Sequence, residues 1–298
     1  MQITPSTLKS LSDGFNAAFL RGIESVQQQW PMVAMEVPSA SRLENYGWMK
    51  DLPGMREWIG QRVVHNLESV AYQIVNKHWE HTIGVDRNDI EDDNLGLYSL
   101  RFSQQGEIAA RHPDQLVWSM LLSGFTSLAM DGQYFFDTDH VGYNVDGTET
   151  TWSNYQSGAG NPWFLMDLSR SFMKPMVFQR RTQVQFIRKD RPEDDNVFME
   201  RTFLYGADAR YNAGFGFYQL AYASKATLDA TNYAAARAAL QLQRRPDGSA
   251  LDVRPTHLVV GPSNEAAARK LLLAEQDASG ATNVWRGSAE ILLVPALG

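Results

Sequence analysis

The chain has 298 residues, 44% of them apolar and 20% charged, with a formal net charge of −7 and no cysteine. This is the composition of an ordinary folded protein with length for one large domain or two smaller ones. It excludes a disulfide framework, a thiolate zinc site and a thiol nucleophile. The acidic balance argues against sequence-independent nucleic-acid binding, which depends on Lys and Arg neutralising phosphates.

Residues 1–6 lack a basic stretch followed by an apolar one, so no signal peptide is read. No apolar run approaches the ~18 residues of a membrane helix. From residue 6 to 26, Leu8, Leu11, Phe15, Phe19, Ile23 and Val26 recur at helical spacing, and Gly14 and Gly22 weaken the pattern. A helix with one apolar stripe must lie on something, either its own domain or a neighbour. Residues 37–76 are broken by Pro38, Gly47, Pro53, Gly54 and Gly60, and read as a long loop or protruding hairpin with strand tendency at its end. Irregular segments of this length within a compact domain are usually functional.

Alternation of Trp79, His81, Ile83, Val85 and Arg87 predicts a strand at 79–87, which places His78 and His81 on opposite faces. A helix follows over 95–130, where Pro113 should kink or split it and Asp114 suits the first turn of a second half. Residues 131–161 are turn-rich and polar. Strands are predicted at 176–178, 184–187 and 197–204, and 215–223 reads as a strand or a buried helix. Then come a helix at 232–243 capped by Thr231, a turn at 246–248 and a buried strand at 256–260. A helix from Ser263 to about 277, stopped by Gly280, and a last strand at 290–294 complete the chain. The order lacks βαβ repetition, so the fold class is α+β.

Candidates for chemistry are weak. Asp137, Asp139 and His140 are the best metal-site grouping, but their spacing fits no zinc or calcium loop, and a polar turn with side chains bonded to backbone explains them better. The acidic clusters Glu91-Asp92-Asp93 and Glu193-Asp194-Asp195 read as solvated faces or as ion-pair partners. Gly214-Phe215-Gly216 is only a fragment of a dinucleotide fingerprint, and the basic stretch at 180–191 is balanced by acidic neighbours. Against this, the chain carries 8 Trp, 14 Phe and 11 Tyr. Several lie in polar, Gly-rich sequence beside Met and Arg, as in 45–60, which is the composition of a buried protein–protein contact.

Several segments taken together resemble the Mu-like bacteriophage major head (capsid) subunit family. They are Tyr46-Gly47-Trp48 through Glu57-Trp58-Ile59-Gly60, Glu91-Asp92-Asp93-Asn94-Leu95-Gly96-Leu97-Tyr98, and Asp131-Gly132-Gln133-Tyr134-Phe135-Phe136-Asp137-Thr138-Asp139-His140. The others are Asp194-Asp195-Asn196-Val197-Phe198-Met199, Leu204-Tyr205-Gly206-Ala207, Gly214-Phe215-Gly216-Phe217 and Arg254-Pro255-Thr256-His257-Leu258-Val259-Val260. Their order and spacing, not any single one, carry the likeness, which runs almost end to end.

The resemblance implies the tailed-phage major capsid (Hong Kong-type) fold. It assigns 1–45 to an N-terminal arm, 46–76 to an extended E-loop hairpin and 77–130 to a peripheral P domain with a spine helix. It assigns 131–282 to an axial A domain and 283–298 to a C-terminal strand returning to the core sheet. It further implies a structural protein without enzymatic activity or cofactor, assembled in the bacterial host cytoplasm into the virion. Hexamers and pentamers would form an icosahedral head that holds double-stranded DNA without binding it specifically. Implied partners are further copies, a separate scaffold protein and maturation protease, a portal at one vertex and a decoration protein. No cross-linking Lys–Asn pair is identified, so noncovalent shells are expected. Trp48, Met49, Arg56, Trp58, Ile59, Arg62, Glu91, Asp92 and Asp93 are the expected intersubunit contacts. The alternatives are another virion part, such as a tail tube or portal-associated subunit, and a metal-dependent enzyme built on Asp137, Asp139 and His140.

Overall fold

The computed structural model describes residues 2–46, 72–92, 96–277 and 279–298. Helix α1 (Pro5–Glu24) opens with a capping box: Thr4 Oγ1 accepts from the Thr7 amide and Thr7 Oγ1 accepts from the Thr4 amide, with Pro5 at the first turn. Its apolar stripe lies on its own chain, against α4 (Gly96–Ser123). Gly22 and Gly106 make that approach possible. A Cβ on Gly22 would overlap the Ser103 carbonyl, and one on Gly106 the Phe19 carbonyl. The glycine at 22, which looks like a weakness in the helix, is a contact requirement.

The predicted break at Pro113 is absent. α4 continues through it for 28 residues, so Asp114 does not open a second helix. Instead its carboxylate accepts from the Gln29 and Trp30 amides at 2.9 and 2.6 Å, capping the short helix α2 (Trp30–Val33). Gln28 Nε2 donates to the Ala110 carbonyl at 2.7 Å, beside the turn that the proline disturbs.

Two sheets follow. In the first, β1 (Ala34–Pro38) runs parallel to β9 (Met176–Lys189), which pairs antiparallel with β10 (Thr202–Phe215), and β10 pairs with β4 (Lys77–Asp86). The second has the order β13 (Glu290–Leu293), β12 (His257–Val260), β8 (Trp163–Met166), β11 (Ala221–Ser224), β7 (Tyr155–Gln156). Here β12 connects to its parallel neighbour β13 through α7 (Pro262–Leu273), and α6 (Ala230–Gln241) packs beside β11. Two hairpins are separate: β2 (Leu43–Asn45) with β3 (Gln73–Val75), and β5 (His140–Tyr143) with β6 (Glu149–Trp152). Short helices α3 (Arg87–Glu91) and α5 (Asp195–Glu200) flank the first sheet.

Several predicted elements change. The strands expected at 176–178 and 184–187 are one strand, β9. The predicted strand 197–204 is half helix: α5 ends at Glu200, Arg201 takes a left-handed conformation (φ 55°), and β10 begins at Thr202. The caps also shift, to Asp229 for α6 and Gly261 for α7. The first sheet crosses the expected boundary at 130/131, because β9 and β10 fall within 131–282, yet β10 pairs with β4 and β9 with β1.

Two hydrophobic clusters organise the packing. The smaller joins Leu8, Phe15 and Ala18 of α1 to Phe102, Val85, Ile90, Val197, Phe203 and Tyr205. Phe15 stacks on Phe102 at 4.4 Å and meets Tyr205 edge-on at 5.2 Å. The larger contains Val117, Trp118 and Leu121 of α4, the inner end of the first sheet and all of the second. α4 therefore spans both, its two halves seated in different clusters.

Candidate assembly surfaces

Of the expected contact residues, Trp48, Met49, Arg56, Trp58, Ile59, Arg62 and Asp93 lie outside the described residues. Glu91 ends α3 and pairs with Arg87 four residues earlier at 2.8 Å, an exposed intrachain bridge of the kind worth about 0.3–0.5 kcal/mol. Asp92 is exposed and its amide closes α3 onto the Asn88 carbonyl.

The strands flanking 47–71 form an antiparallel ladder, Leu43↔Val75 to Asn45↔Gln73, extended by the Tyr46 amide on the Tyr72 carbonyl. Its root is held firmly. Tyr46, fully buried, donates to Gln179 Oε1 at 2.8 Å, and Gln179 Nε2 donates to the Ile74 carbonyl. The Tyr72 hydroxyl accepts the Phe215 amide at 2.6 Å, and burial pushes its pKa up to about 12. Both phenols are thus structural hydrogen-bonding groups.

The metal-site grouping dissolves. Asp137 is spent on the amides of Thr138 and Tyr134, which is the polar-turn arrangement. His140 is fully buried, bonded through Nδ1 to Asp131 Oδ2 at 2.6 Å and stacked flat on Tyr218 at 4.1 Å. Among the described residues, no three acidic or histidine side chains come together as a metal cage. His78 and His81 stand opposite Arg210 and Ala207 on β4, an odd separation that sends them to opposite faces.

Exposed apolar side chains are concentrated where the sequence pattern did not point. On α4, Leu97, Leu100 and Ile108 are 67%, 60% and 56% exposed, and they fall within an arc of roughly 80°. The opposite side of the helix carries Phe102, Gly106, Ala110, Pro113 and Val117 into the core. Phe198 and Met199 of α5 are 79% and 75% exposed. Elsewhere, the β5–β6 turn and the 245–249 turn touch tip to tip. Gly147 and Gly248 each hold φ of +79°, and a Cβ on Gly248 would overlap the Val145 carbonyl. A cleft of about 580 Å³ lies beside them, lined by Trp152, Tyr218, Leu242 and Arg244 among others.

Comparison with known proteins places this architecture. The profile of the family described as Mu-like prophage major head subunit gpT matches residues 8–297. The chain belongs to the Mu-like major head subunit family. It is 39% identical over 290 residues to the major capsid protein of Escherichia phage Mu, covering 95% of each chain. It is 41% identical over 280 residues to the Mu-like prophage FluMu major head subunit of Haemophilus influenzae, covering 92% of this chain and 91% of that one. Among solved structures, the subunit in the procapsid of bacteriophage JBD30 superposes with a TM-score of 0.87 at 39% identity, covering 99% of this chain and 100% of that one. The subunit in the JBD30 capsid gives 0.80 at 27% identity, with full coverage of both.

Membership of the major head subunit family fixes the fold class as that of tailed-phage capsid proteins, α+β, as the residue pattern indicated. It also fixes the function: the chain is a structural protein of the virion, a major capsid protein of a phage head. Its relatives are structural capsid proteins. What sequence reading missed was the α4 stripe and the α5 tip. Helical spacing over 95–130 does not separate Leu97, Leu100 and Ile108, which face outward, from Phe102, Ala110 and Val117, which trace a buried stripe on the opposite side.

Proposed function

We propose that copies of this chain assemble as hexamers and pentamers into a closed icosahedral shell around double-stranded DNA, in the host cytoplasm, and that the chain has no catalytic role. The observation that supports this reading is the end-to-end likeness to subunits of a phage procapsid and capsid. Physical chemistry agrees with it. A wall of net charge −7 per chain does not hold packaged DNA by counterion release.

In this reading 1–45 is the arm, docked on the spine helix α4, and 46–76 is the E-loop leaving from the β2–β3 ladder. The peripheral domain takes β4, α4 and, from later in the chain, β9 and β10. The five-stranded sheet with α6 and α7 is the axial domain, completed by the last strand. Trp48, Met49, Arg56, Trp58, Ile59 and Arg62 seat the E-loop on an adjacent subunit, and Glu91, Asp92 and Asp93 serve the same contact network. A separate scaffold and maturation protease act during assembly, a portal fills one vertex, and the finished shell is noncovalent. One JBD30 capsid is decorated with minor capsid protein trimers, at a TM-score of 0.77 to this chain and 26% identity, which supports a decoration protein here too.

The test is negative-stain microscopy of the purified chain with and without scaffold. Closed shells, or rings that become shells when scaffold is added, are expected. Tubes or open rings only, or dispersed particles under every condition, would defeat the reading. Trp58→Ala should lower shell yield while leaving the circular dichroism of the unassembled chain unchanged; unaltered shell yield would remove Trp58 from the contact.

A further inference from the structure

The cleft of about 580 Å³ beside the β5–β6 hairpin has the volume of a small-molecule site and polar groups that the chain itself leaves without a partner. One wall is the hairpin face that carries Trp152. In the ladder His140 pairs with Trp152, Gly142 with Thr150 and Tyr143 with Glu149, so Trp152 and Thr150 share a face and Glu149 lies on the other. His140 stacks on Tyr218 at 4.1 Å, which turns the Trp152 face inward. The floor is the 3₁₀ turn Tyr218–Leu220. Gln243 Nε2 fixes that turn by donating to the Gln219 carbonyl at 2.7 Å, while Gln219 Oε1 is buried with no hydrogen-bond partner. The uncompensated charge is positive. Arg244 and Arg245 both line the cleft, and their hydrogen bonds go to oxygens other than carboxylates. Arg244 Nη1 donates to the Gly248 carbonyl at 2.8 Å, and Arg245 Nη1 to the Ala250 carbonyl at 2.5 Å and to Ser249 Oγ at 3.4 Å. The nearby carboxylates are engaged elsewhere. Asp131 holds His140 and the Gln133 amide, Asp146 and Asp247 accept from Thr148 and Ser249 in their own turns, and Asp252 pairs with Arg254. Asp247 and Asp252 also feel Arg245 at longer range, so Arg244 is the cation left over.

We propose that this cleft binds a nucleotide, with the base against Trp152, an N–H of the base donated to Gln219 Oε1 and the phosphate on Arg244. Three features together select that class. An aromatic wall takes a planar ring by stacking. A buried acceptor without a partner costs free energy until a donor reaches it. A guanidinium without a carboxylate takes an oxyanion through charge-assisted bonds from its fork. Bare phosphate satisfies only the last of these, and an uncharged aromatic ring only the first two. One local site for one molecule is compatible with the acidic balance of the whole chain, and it does not depend on the shell reading above.

Isothermal titration of the purified chain with adenosine monophosphate, adenosine and inorganic phosphate reads the three features separately, since adenine carries the amino group that Gln219 Oε1 lacks. The monophosphate should bind saturably at one site per chain. Adenosine and phosphate should each bind about tenfold or more weaker, the loss expected of one charged hydrogen bond. Arg244→Gln should weaken the monophosphate by about the same factor and leave adenosine unchanged, whereas Gln219→Leu should weaken both. Thr150→Trp, at an exposed position on the inward face, should block the cleft and abolish binding. Circular dichroism shows which variants are folded, and the wild-type titrations decide the matter even if none is. No binding of the monophosphate at millimolar concentration overturns the proposal. So does phosphate binding as tightly as the monophosphate, which would make this a general anion site. Monophosphate binding indifferent to both Arg244→Gln and Thr150→Trp would put the nucleotide elsewhere on the chain and overturn it too.

Discussion

At the scale of single residues, the same amino acid can weaken a helix or permit a contact, and only its surroundings decide. Gly14 and Gly22 stand in the same helix. A Cβ on Gly14 meets nothing within 4 Å, whereas one on Gly22 overlaps the Ser103 carbonyl of α4. Alanine at 14 should therefore stabilise the chain by about 0.5–1 kcal/mol through helix propensity. Alanine at 22 or 106 should destabilise it by about 1–3 kcal/mol, because backbone must move to admit the methyl group. Urea denaturation of the unassembled chain checks both signs, and equal effects at 14 and 22 would refute the close-approach account. Sequence alone shows helix spacing and a glycine; it does not show which face meets another backbone.

At the scale of elements, α1, α6, α7, β4, β12 and β13 were legible, because each buries one stripe or one short apolar run with recognisable boundaries. β8, Trp163–Met166, was not: it is buried on both faces and too short to show a period. At 197–199 the apolar run looked like a strand, but two of its three side chains face outward on a helix, a placement that only an unpartnered surface explains. Pro113 misled for a different reason. The helix runs on through it, and around that turn Gln28 donates to the Ala110 carbonyl while Asp114 accepts from the Gln29 and Trp30 amides. Burial raises the Asp114 pKa despite the Trp30 and Gln29 amides, so the site needs an acceptor more than a charge. Asp114→Ala should then cost about 1–2 kcal/mol, as loss of a cap does, and Asp114→Asn clearly less. Thermal unfolding of the two variants side by side decides this; equal losses would show that the charge itself is required.

At the scale of the whole molecule, two half-buried histidines tie stability to pH. His112 lies against Trp79 with its Nδ1 2.8 Å from the Tyr211 hydroxyl, where α4 crosses the first sheet. His257 begins β12 in the second, with Nδ1 2.9 Å from Thr256 Oγ1 and Nε2 3.5 Å from Glu290. Burial lowers the pKa of both, and at His257 it outweighs the opposing pull of Glu290. A depressed pKa means that the unfolded chain binds protons more readily than the folded one. The stabilisation from keeping these rings neutral is complete above the ordinary histidine value of about 6.5 and is lost as pH falls through the lowered folded values. The melting temperature of the unassembled chain should therefore decline as pH drops below about 6.5, before most carboxylates begin to protonate. His112→Gln, which keeps a partner for Tyr211, combined with His257→Gln should flatten that decline. The two histidines lie against different sheets, so each single variant should remove part of the slope and the double variant the sum. A slope unchanged in the double variant would place the acid sensitivity elsewhere in the molecule.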